Sequence, residues 1–310
     1  MDTKPIVVVG SVNLDLVCSC HQLPLPGETV SGNNFQMFEG GKGANQAVAV
    51  ARLGYPVAMV AKVGDDEFGK RLRGALKAAG VSVEHVSIAK GVSSGVAMIT
   101  ADQQGQNTIV VVPGANGRLL PSDLDQATPL LRSAGMILAQ LEIPIETVEH
   151  LSRLAKKFQV PLMLDPAPAQ LLRPQLFKSI AFLTPNETEA GSLCRRDGMV
   201  IDPSNAQVVA EQLLAKGPRN VILKMGRQGC YFSGQDSGGD FVPAFKVRAV
   251  DSTAAGDAFN GGLAVALLQG KDFGEATRFA SAVAALSVKQ KGAQPSMPTL
   301  AQVHSFLKKA

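Results

Sequence analysis

Tryptophan is absent, tyrosine occurs only twice, and aromatic residues make up 5% of the 310 positions. Proteins that bind single-stranded nucleic acid stack bases on aromatic platforms set beside basic stripes. Neither is present, because the 30 Lys and Arg are dispersed among 26 Asp and Glu, leaving a formal net charge of +4. Such a surface is solvated with a slight basic excess, which favours small anionic ligands and gives no reason to expect nucleic acid.

Cysteine is also scarce. Cys18, Cys20, Cys194 and Cys230 form no CxxC pair, and the close pair is separated by one residue, poor spacing for zinc. Reduced thiols in a cytoplasmic protein are expected. No charged segment followed by an apolar run opens the sequence, and no stretch approaches the roughly 18 apolar residues that span a bilayer. Neither secretion nor membrane insertion is therefore expected. His21, His85, His150 and His304 lie far apart, with no Ser-His-Asp or HExxH pattern around them.

What the chain has in quantity is core material: 45% of positions are hydrophobic and 18% charged, enough for one large domain over residues 1–310 without staples. Short apolar, β-branched runs at 6–9, 57–60, 136–139, 161–165, 181–183 and 221–224 alternate with helix-period segments near 43–53, 65–79, 144–158, 186–193 and 203–216. Continuous apolar strands separated by helices imply a doubly wound α/β fold, its mostly parallel sheet covered on both faces. Residues 12–38 and 92–112 lack helical periodicity and read as extended, with a hairpin turn near Asp102 to Gln106. Strands that cannot join a parallel sheet without a crossover are expected to form a separate small β-sheet lid over the carboxyl edge. Beyond residue 250, helices are expected near 254–269, 273–291 and 299–308.

One segment carries an explicit chemical suggestion. DSTAAGDAFNGGL, Asp251 to Leu263, follows the extended run FKVRAV and opens an Ala-rich helix. Small residues at Ala254, Ala255 and Gly256 leave the N–H groups at the helix start uncovered, where the dipole is positive and phosphate can sit. Asp257 falls in the first turn, beside that anion site, placed to accept a proton from an attacking hydroxyl. With an ordinary pKa near 3.9 it would be a weak base, which suffices when phosphoryl transfer is loose. Asp257 could equally do no more than complement the helix dipole, and this segment alone leaves both readings open.

Further segments decide between them: GSVNLD (10–15), GGKGANQAVAVARLG (40–54), KVGDDEFG (62–69), QLEIP (140–144), DPAPA (165–169), TPNETEA (184–190), KMGRQG (224–229) and KGAQPS (291–296). Together with the Asp257 segment they run through nearly the whole chain, and the chain resembles the ribokinase family of sugar kinases, also called the phosphofructokinase-B family. The resemblance implies a three-layer α/β core with a β-sheet lid and a homodimer clasped through the lids. It also implies transfer of the γ-phosphoryl group of ATP, carried with Mg²⁺, to a sugar hydroxymethyl group. Asp257 would be the base, and Ala255 and Gly256 the anion hole.

Asn13, Asp15, Gly41, Lys42, Gly43, Asn45 and Glu142 would hold the sugar. Asn13 and Asp15, two apart on an extended segment, face the same way. The glycine cluster is no nucleotide P-loop, since Lys42 is followed by Gly43 and not by Ser or Thr. Asn186 and Glu189 would hold Mg²⁺-bound phosphates, although NETE read alone is an ordinary helix-capping segment. Lys224, Gly226, Gly229 and Ser281 would complete the ATP site. Lys224 stands where a small hydroxyl residue is common in the family, Ser281 where Asn or His is common, and Asp165 replaces a common Asn. Asp251, Thr253, Ser287, Gln290, Gly292 and Ser296 match the family's pattern for a buried monovalent cation, normally K⁺.

Asn13 offers a polar side chain where the family's deoxyribose kinases carry an apolar one. D-ribose phosphorylated at its 5-hydroxyl is thus the expected reaction, since a site built to bond a hydroxyl rejects an analogue without it. The alternatives are another sugar kinase of the same family, acting on 2-deoxyribose, a hexose or a nucleoside, and a non-catalytic sugar-binding regulator. A Rossmann oxidoreductase is disfavoured because GSVNLD, and no GxGxxG, follows the first strand.

Overall fold

The computed structural model describes residues 3–196, 198–235 and 238–309. Its centre is the strand Ile6–Val9, fully buried and composed of nothing but Ile and Val. Val57–Gly64 pairs with it in parallel on one side and Met136–Ala139 on the other. From these the sheet extends to nine strands. Beyond Val57–Gly64 lies Ser82–Ala89; beyond Met136–Ala139 lie Leu162–Leu164, Phe182–Leu183, Asn220–Lys224, Cys230–Gly234 and Asp240–Val242. All pairings are parallel except the last two, which are antiparallel.

Alternation along the central strand feeds two cores. Ile6 and Val8 enter a cluster shared with the helices Lys42–Arg52, Ala255–Leu268 and Phe273–Ser287. Val7 and Val9 enter one shared with Ile145–Phe158, Glu187–Leu193 and Ala206–Leu214. The period of two thus produces a helix–sheet–helix sandwich. Because its neighbours depart in opposite directions, Ile6–Val9 marks the point where strand order reverses, and a crevice opens past its carboxyl end. The loops leaving Val9 and Ala139 border that crevice.

Ala255–Leu268 is buried continuously from Asp257 to Ala266, wedged between two other helices. Only glycine fits at two of its positions. A methyl on Gly261 would lie 2.7 Å from the Ala49 Cβ, and one on Gly262 would lie 2.9 Å from the Val283 Cγ2. Close backbone approach follows, and the first turn of this helix is brought against the first turns of Lys42–Arg52.

A second sheet of four strands, in the order Gly32–Gly40, Asn13–Cys20, Gly95–Ala101 and Asn107–Val112, begins three residues after the central strand ends. The hairpin turn falls between Ala101 and Asn107, where the Asp102 carboxylate accepts from the Gln104 and Gln106 N–H groups. Phe35, Met98, Ile109 and Val110 are each more than half exposed on this sheet.

The sequence-based expectation differs at the margins. Ser82–Ala89 escapes it because an edge strand exposes much of its length and shows no apolar run. Cys230–Gly234 and Asp240–Val242 are too short and polar to signal a strand. The long helix expected to residue 291 stops at Ser287, and the run before Asp251 forms no strand. Among the described residues, no helix is long and apolar enough to cross a membrane.

Candidate active site

Two glycine-dependent turns build the crevice floor. Gly41 has φ 89°, and a Cβ there would lie 2.7 Å from the Asn13 nitrogen; one on Gly43 would lie 2.7 Å from the Ser11 nitrogen. With both side chains missing, the start of Lys42–Arg52 presses directly onto the Gly10–Asn13 loop. Ser11 Oγ donates to Glu142 Oε2 at 2.5 Å, Lys42 N donates to the same oxygen at 3.0 Å, and Gly43 N donates to Ser11 Oγ at 3.3 Å. Glu142 is thereby tied to the loop that carries Asn13. Asn13 is buried, while Asp15 is half-buried on the neighbouring position of the same strand face. Burial, with Glu142 nearby as a second negative charge, pushes the Asp15 carboxyl up to about 7.

The next layer centres on Asp257, which is 4% exposed. Asn45 Nδ2 donates to its Oδ2 at 3.0 Å and Gln46 Nε2 to its Oδ1 at 3.1 Å. The same Gln46 nitrogen donates to Asp165 Oδ2 at 3.1 Å, while Gln140 Nε2 donates to Gln46 Oε1 at 2.6 Å. Lys224 Nζ donates to Asp165 Oδ1 at 2.9 Å in a largely buried ion pair. Burial pushes the Asp257 carboxyl up to about 6 and the Asp165 charge adds to this, against the pull of Lys42 and the Asn45 and Gln46 amides. Burial also works against charge on Lys42, but Asp257, Asp165, Glu142 and Glu189 together hold its pKa above the ordinary lysine value. Asn45 Oδ1 is buried with no partner among the described residues, an acceptor of the kind a bound hydroxyl would satisfy.

Beside Asp257 a cavity of about 290 Å³ is lined by Lys42, Asp165, Asn186, Glu189, Lys224 and the turn Ala254–Asp257, among others. Ala254 sits at φ 59° in the left-handed region, no side chain caps the helix that follows, and Gly256 presents bare backbone. A Cβ on Gly256 would lie 3.3 Å from Lys224 Nζ. The cavity wall therefore combines a helix N-terminus with two lysines, the electrostatics of a phosphate site. Asn186 and Glu189 form a reciprocal capping box, with Asn186 N to Glu189 Oε2 at 2.8 Å and Glu189 N to Asn186 Oδ1 at 2.9 Å. Both side chains nevertheless border the cavity. Burial raises the Glu189 pKa, with Lys224 opposing. Carboxylate and amide oxygens at Asp165, Asn186, Glu187 and Glu189 suit a hard cation such as Mg²⁺. Among the described residues no three acidic, His or Cys groups form a cage of their own, so such an ion would be held chiefly by the phosphates it accompanies.

A second cavity of about 330 Å³ shares Lys224, Gly226, Ser252, Ala255 and Gly256 with the first. Its remaining wall is mostly apolar, including Phe245, Val247, Phe259 and Ala285, with Gly229 and Ser281 at its edge. Gly229 has φ 108°, and a Cβ there would press on the backbone at Val242 and Ala244. The two cavities form one trough, apolar at one end and charged at the other. Gly226, Gly229 and Ser281 border the apolar end, whereas the Lys224 ammonium is drawn to the charged end by Asp165.

Behind the anion site, Asp251 Oδ1 accepts from Thr253 N at 2.9 Å and Thr253 Oγ1 at 2.6 Å, and Asp251 Oδ2 accepts from Gly292 N at 2.9 Å. Despite partial burial, these bonds hold its pKa below the usual carboxylate range. The 251–253 and 290–292 loops are thus joined. Ser287 and Ser296 are buried and bond back to Ala284 O and Ala293 O within their own turns, and Gln290 is exposed. The bonds to Asp251 bring Asp251, Thr253 and Gly292 together, whereas the Ser287 and Ser296 hydroxyls are spent within their own turns.

Reading the sequence alone gives no role to Ser11, Gln46, Gln140 or Asn116, and notes Asp165 only as a departure. Gln46 had one available signal: it interrupts an otherwise Ala- and Val-rich helical run, as a buried amide would.

Residues 3–300 match the pfkB family carbohydrate kinase model. The ribokinase of Haemophilus influenzae is 40% identical over 307 residues, covering 99% of each chain. The deoxyribokinase of Salmonella typhi is also 40% identical over 307 residues, covering 97% of this chain and 98% of its own. The structure of Arabidopsis thaliana ribokinase complexed with ribose and ATP superposes with a TM-score of 0.92 at 35% identity, covering 99% of both chains.

Proposed function

The chain belongs to the pfkB family of carbohydrate kinases, and from that premise we propose that it transfers the γ-phosphoryl group of ATP to the 5-hydroxyl of D-ribose, with Asp257 as base. The observation that carries this assignment is the position of the buried Asp257 carboxylate in the first turn of an uncapped helix, between Lys42 and the Asn45 and Gln46 amides.

The sugar lies in the crevice between Asn13, Asp15, Glu142 and Asn45, with the unpartnered Asn45 Oδ1 as one acceptor. The adenine end of ATP occupies the apolar end of the trough, and its phosphates occupy the charged end. The sugar hydroxyl gives its proton to Asp257 as its oxygen bonds to the γ-phosphorus and the bridging bond to the β-phosphate breaks, releasing ADP. Charge developing on the phosphoryl oxygens is met by the N–H groups at Ala255 and Gly256 and by Lys42 and Lys224. Asn186 and Glu189 would stand beside Mg²⁺ carried on the phosphates, which when bound would supply further neutralisation of that charge. A positioned proton acceptor contributes on the order of 10²–10⁴-fold.

The four-stranded sheet acts as a lid over this crevice, and its exposed Phe35, Met98, Ile109 and Val110 suit burial against a second copy, giving a homodimer. K⁺ between the Asp251 and Gly292 loops would order the backbone that carries the anion site. If so, activity falls when potassium is replaced by a large organic cation, and unchanged activity removes the cation from the scheme. The free cysteines agree with a cytoplasmic protein.

The coupled release of ADP with Mg-ATP and a panel of pentoses and hexoses tests the substrate. D-ribose is expected to give the highest kcat/KM, and the second candidate is 2-deoxyribose, raised by the equally similar deoxyribokinase. Equal kcat/KM for the two would show that Asn13 does not select between them.

A further inference from the structure

Asn116 lies in the short turn Gly114–Arg118 and is 1% exposed. Its amide makes a two-point pairing with the backbone of Val12: Val12 N donates to Asn116 Oδ1 at 2.9 Å, and Asn116 Nδ2 donates to Val12 O at 3.2 Å. That pairing settles which end of the amide is which, because turning it over would set donor against donor and acceptor against acceptor. The second hydrogen on Nδ2 goes to Asn13 Oδ1 at 2.7 Å. The orientation of Asn13 follows: its acceptor oxygen is engaged from behind and its Nδ2 group is what remains to face the crevice.

A glycine keeps the two amides together. Gly95 sits directly across from Asn13 on the neighbouring strand, and a Cβ there would collide with both Asn116 Nδ2 and Asn13 Oδ1. The side chain absent at position 95 is therefore part of the same device.

We propose that Asn116 is a positioning residue for sugar selection, which locks Asn13 as a hydrogen-bond donor to the sugar hydroxyl oxygen it faces. The proposal rests on the assignment of Asn13 as the partner of the hydroxyl that distinguishes ribose from 2-deoxyribose. A sugar without that hydroxyl leaves the Asn13 NH₂ unpaired, and an amide clamped through Asn116 and Val12 has no means of turning over to relieve it. Buried donors left unpaired in this way are what make a polar site selective. Asn116 touches no substrate and acts only through Asn13.

The test is the ratio of kcat/KM for D-ribose to that for 2-deoxyribose, measured for wild type, Asn116→Ala, Gly95→Ala, Asn13→Ala and Asn13→Ala combined with Asn116→Ala. Loss of one oriented bond corresponds to roughly tenfold. Asn116→Ala should lower the ratio by about that factor through a higher KM for ribose, with kcat/KM for 2-deoxyribose changed by less than about threefold. Gly95→Ala, which keeps Asn116 but wedges the amides apart, should do the same. The double variant should select no worse than Asn13→Ala alone, because the two residues act as one unit. Equal losses for both sugars would reduce Asn116 to a structural residue and overturn the proposal, as would an unchanged ratio in a folded Asn116→Ala protein. If wild type itself fails to prefer ribose, the assignment of Asn13 fails first, and the proposal falls with it.

Discussion

Asp257 and Asp165 are hydrogen-bonded to one and the same nitrogen, the Gln46 amide Nε2, at 3.1 Å each. Two buried carboxylates are thereby held on either side of a single neutral donor pair. Gln140 donates to the Gln46 oxygen and so forbids the amide from turning over. Lys224 balances Asp165, and Lys42 faces Asp257, so each carboxylate keeps a cation of its own.

Replacing Gln46 by Leu should therefore do more than loosen packing. A donor that favours the ionised form of Asp257 is lost, and its pKa rises further from about 6. The acid limb of the kcat–pH profile should move to higher pH, with kcat at neutral pH lowered on the order of tenfold. An unmoved limb would mean that Gln46 merely fills space.

Asp257→Asn should reduce kcat on the order of 10²–10⁴-fold while KM for ATP changes little. The folded protein should tolerate the change. Asn45, whose Oδ1 has no partner among the described residues, can turn its amide to accept from the new NH₂ group. A buried charge is removed at the same time, so a melting temperature at pH 8 no lower than that of wild type is expected, read by scanning calorimetry.

Two raised carboxyl groups give the pH profile a definite sign. Asp257, titrating near 6, must be ionised to accept a proton, so kcat falls as pH drops through about 6. Asp15, near 7, loses an acceptor when protonated, so the KM for sugar should begin to rise already below about pH 7. In Asp15→Asn the KM should be high throughout and its pH dependence in this range should vanish. Steady-state kinetics from pH 5.5 to 8.5 would read both.

Lys224→Met strands the buried Asp165 carboxylate and removes a cation from the phosphate end of the trough. Breaking one side of a buried pair costs about 3 kcal/mol or more. Stability to urea should fall accordingly, and both KM for ATP and kcat should worsen. Adding Asp165→Asn should restore most of the stability and little of the activity. Full recovery of activity would show that the lysine matters only to Asp165.

Central strands were legible because burial on both faces writes an unbroken apolar run, as in Ile6–Val9 and Met136–Ala139. Edge strands such as Ser82–Ala89 were not, since half-solvated residues carry no such mark. Asp257 and its helix could be read because small residues, a first-turn carboxylate and the uncovered donors lie within one short segment. The brace formed by Gln46, Gln140 and Asp165 could not, because its members come from three distant segments that meet only through the strand order. The same holds for Asn116 and Asn13, 103 residues apart. The sequence places Lys224 in the ATP site with its neighbours, but not the direction of its ammonium, which is set by Asp165, a partner 59 residues away. The capping character of NETE was plain from spacing alone, and the Asn186–Glu189 bonds have that form.

Gly261 and Gly262 leave the helix that bears Asp257 almost no clearance against the helices on either side. Asp257 is consequently mounted on a closely fitted shaft with almost no room to shift sideways. If the four-stranded sheet closes over the crevice as proposed, that movement belongs to the sheet and not to the helix of Asp257. Structures with and without sugar should therefore differ by a swing of that sheet, while Asp257 keeps its place to within the error of superposition.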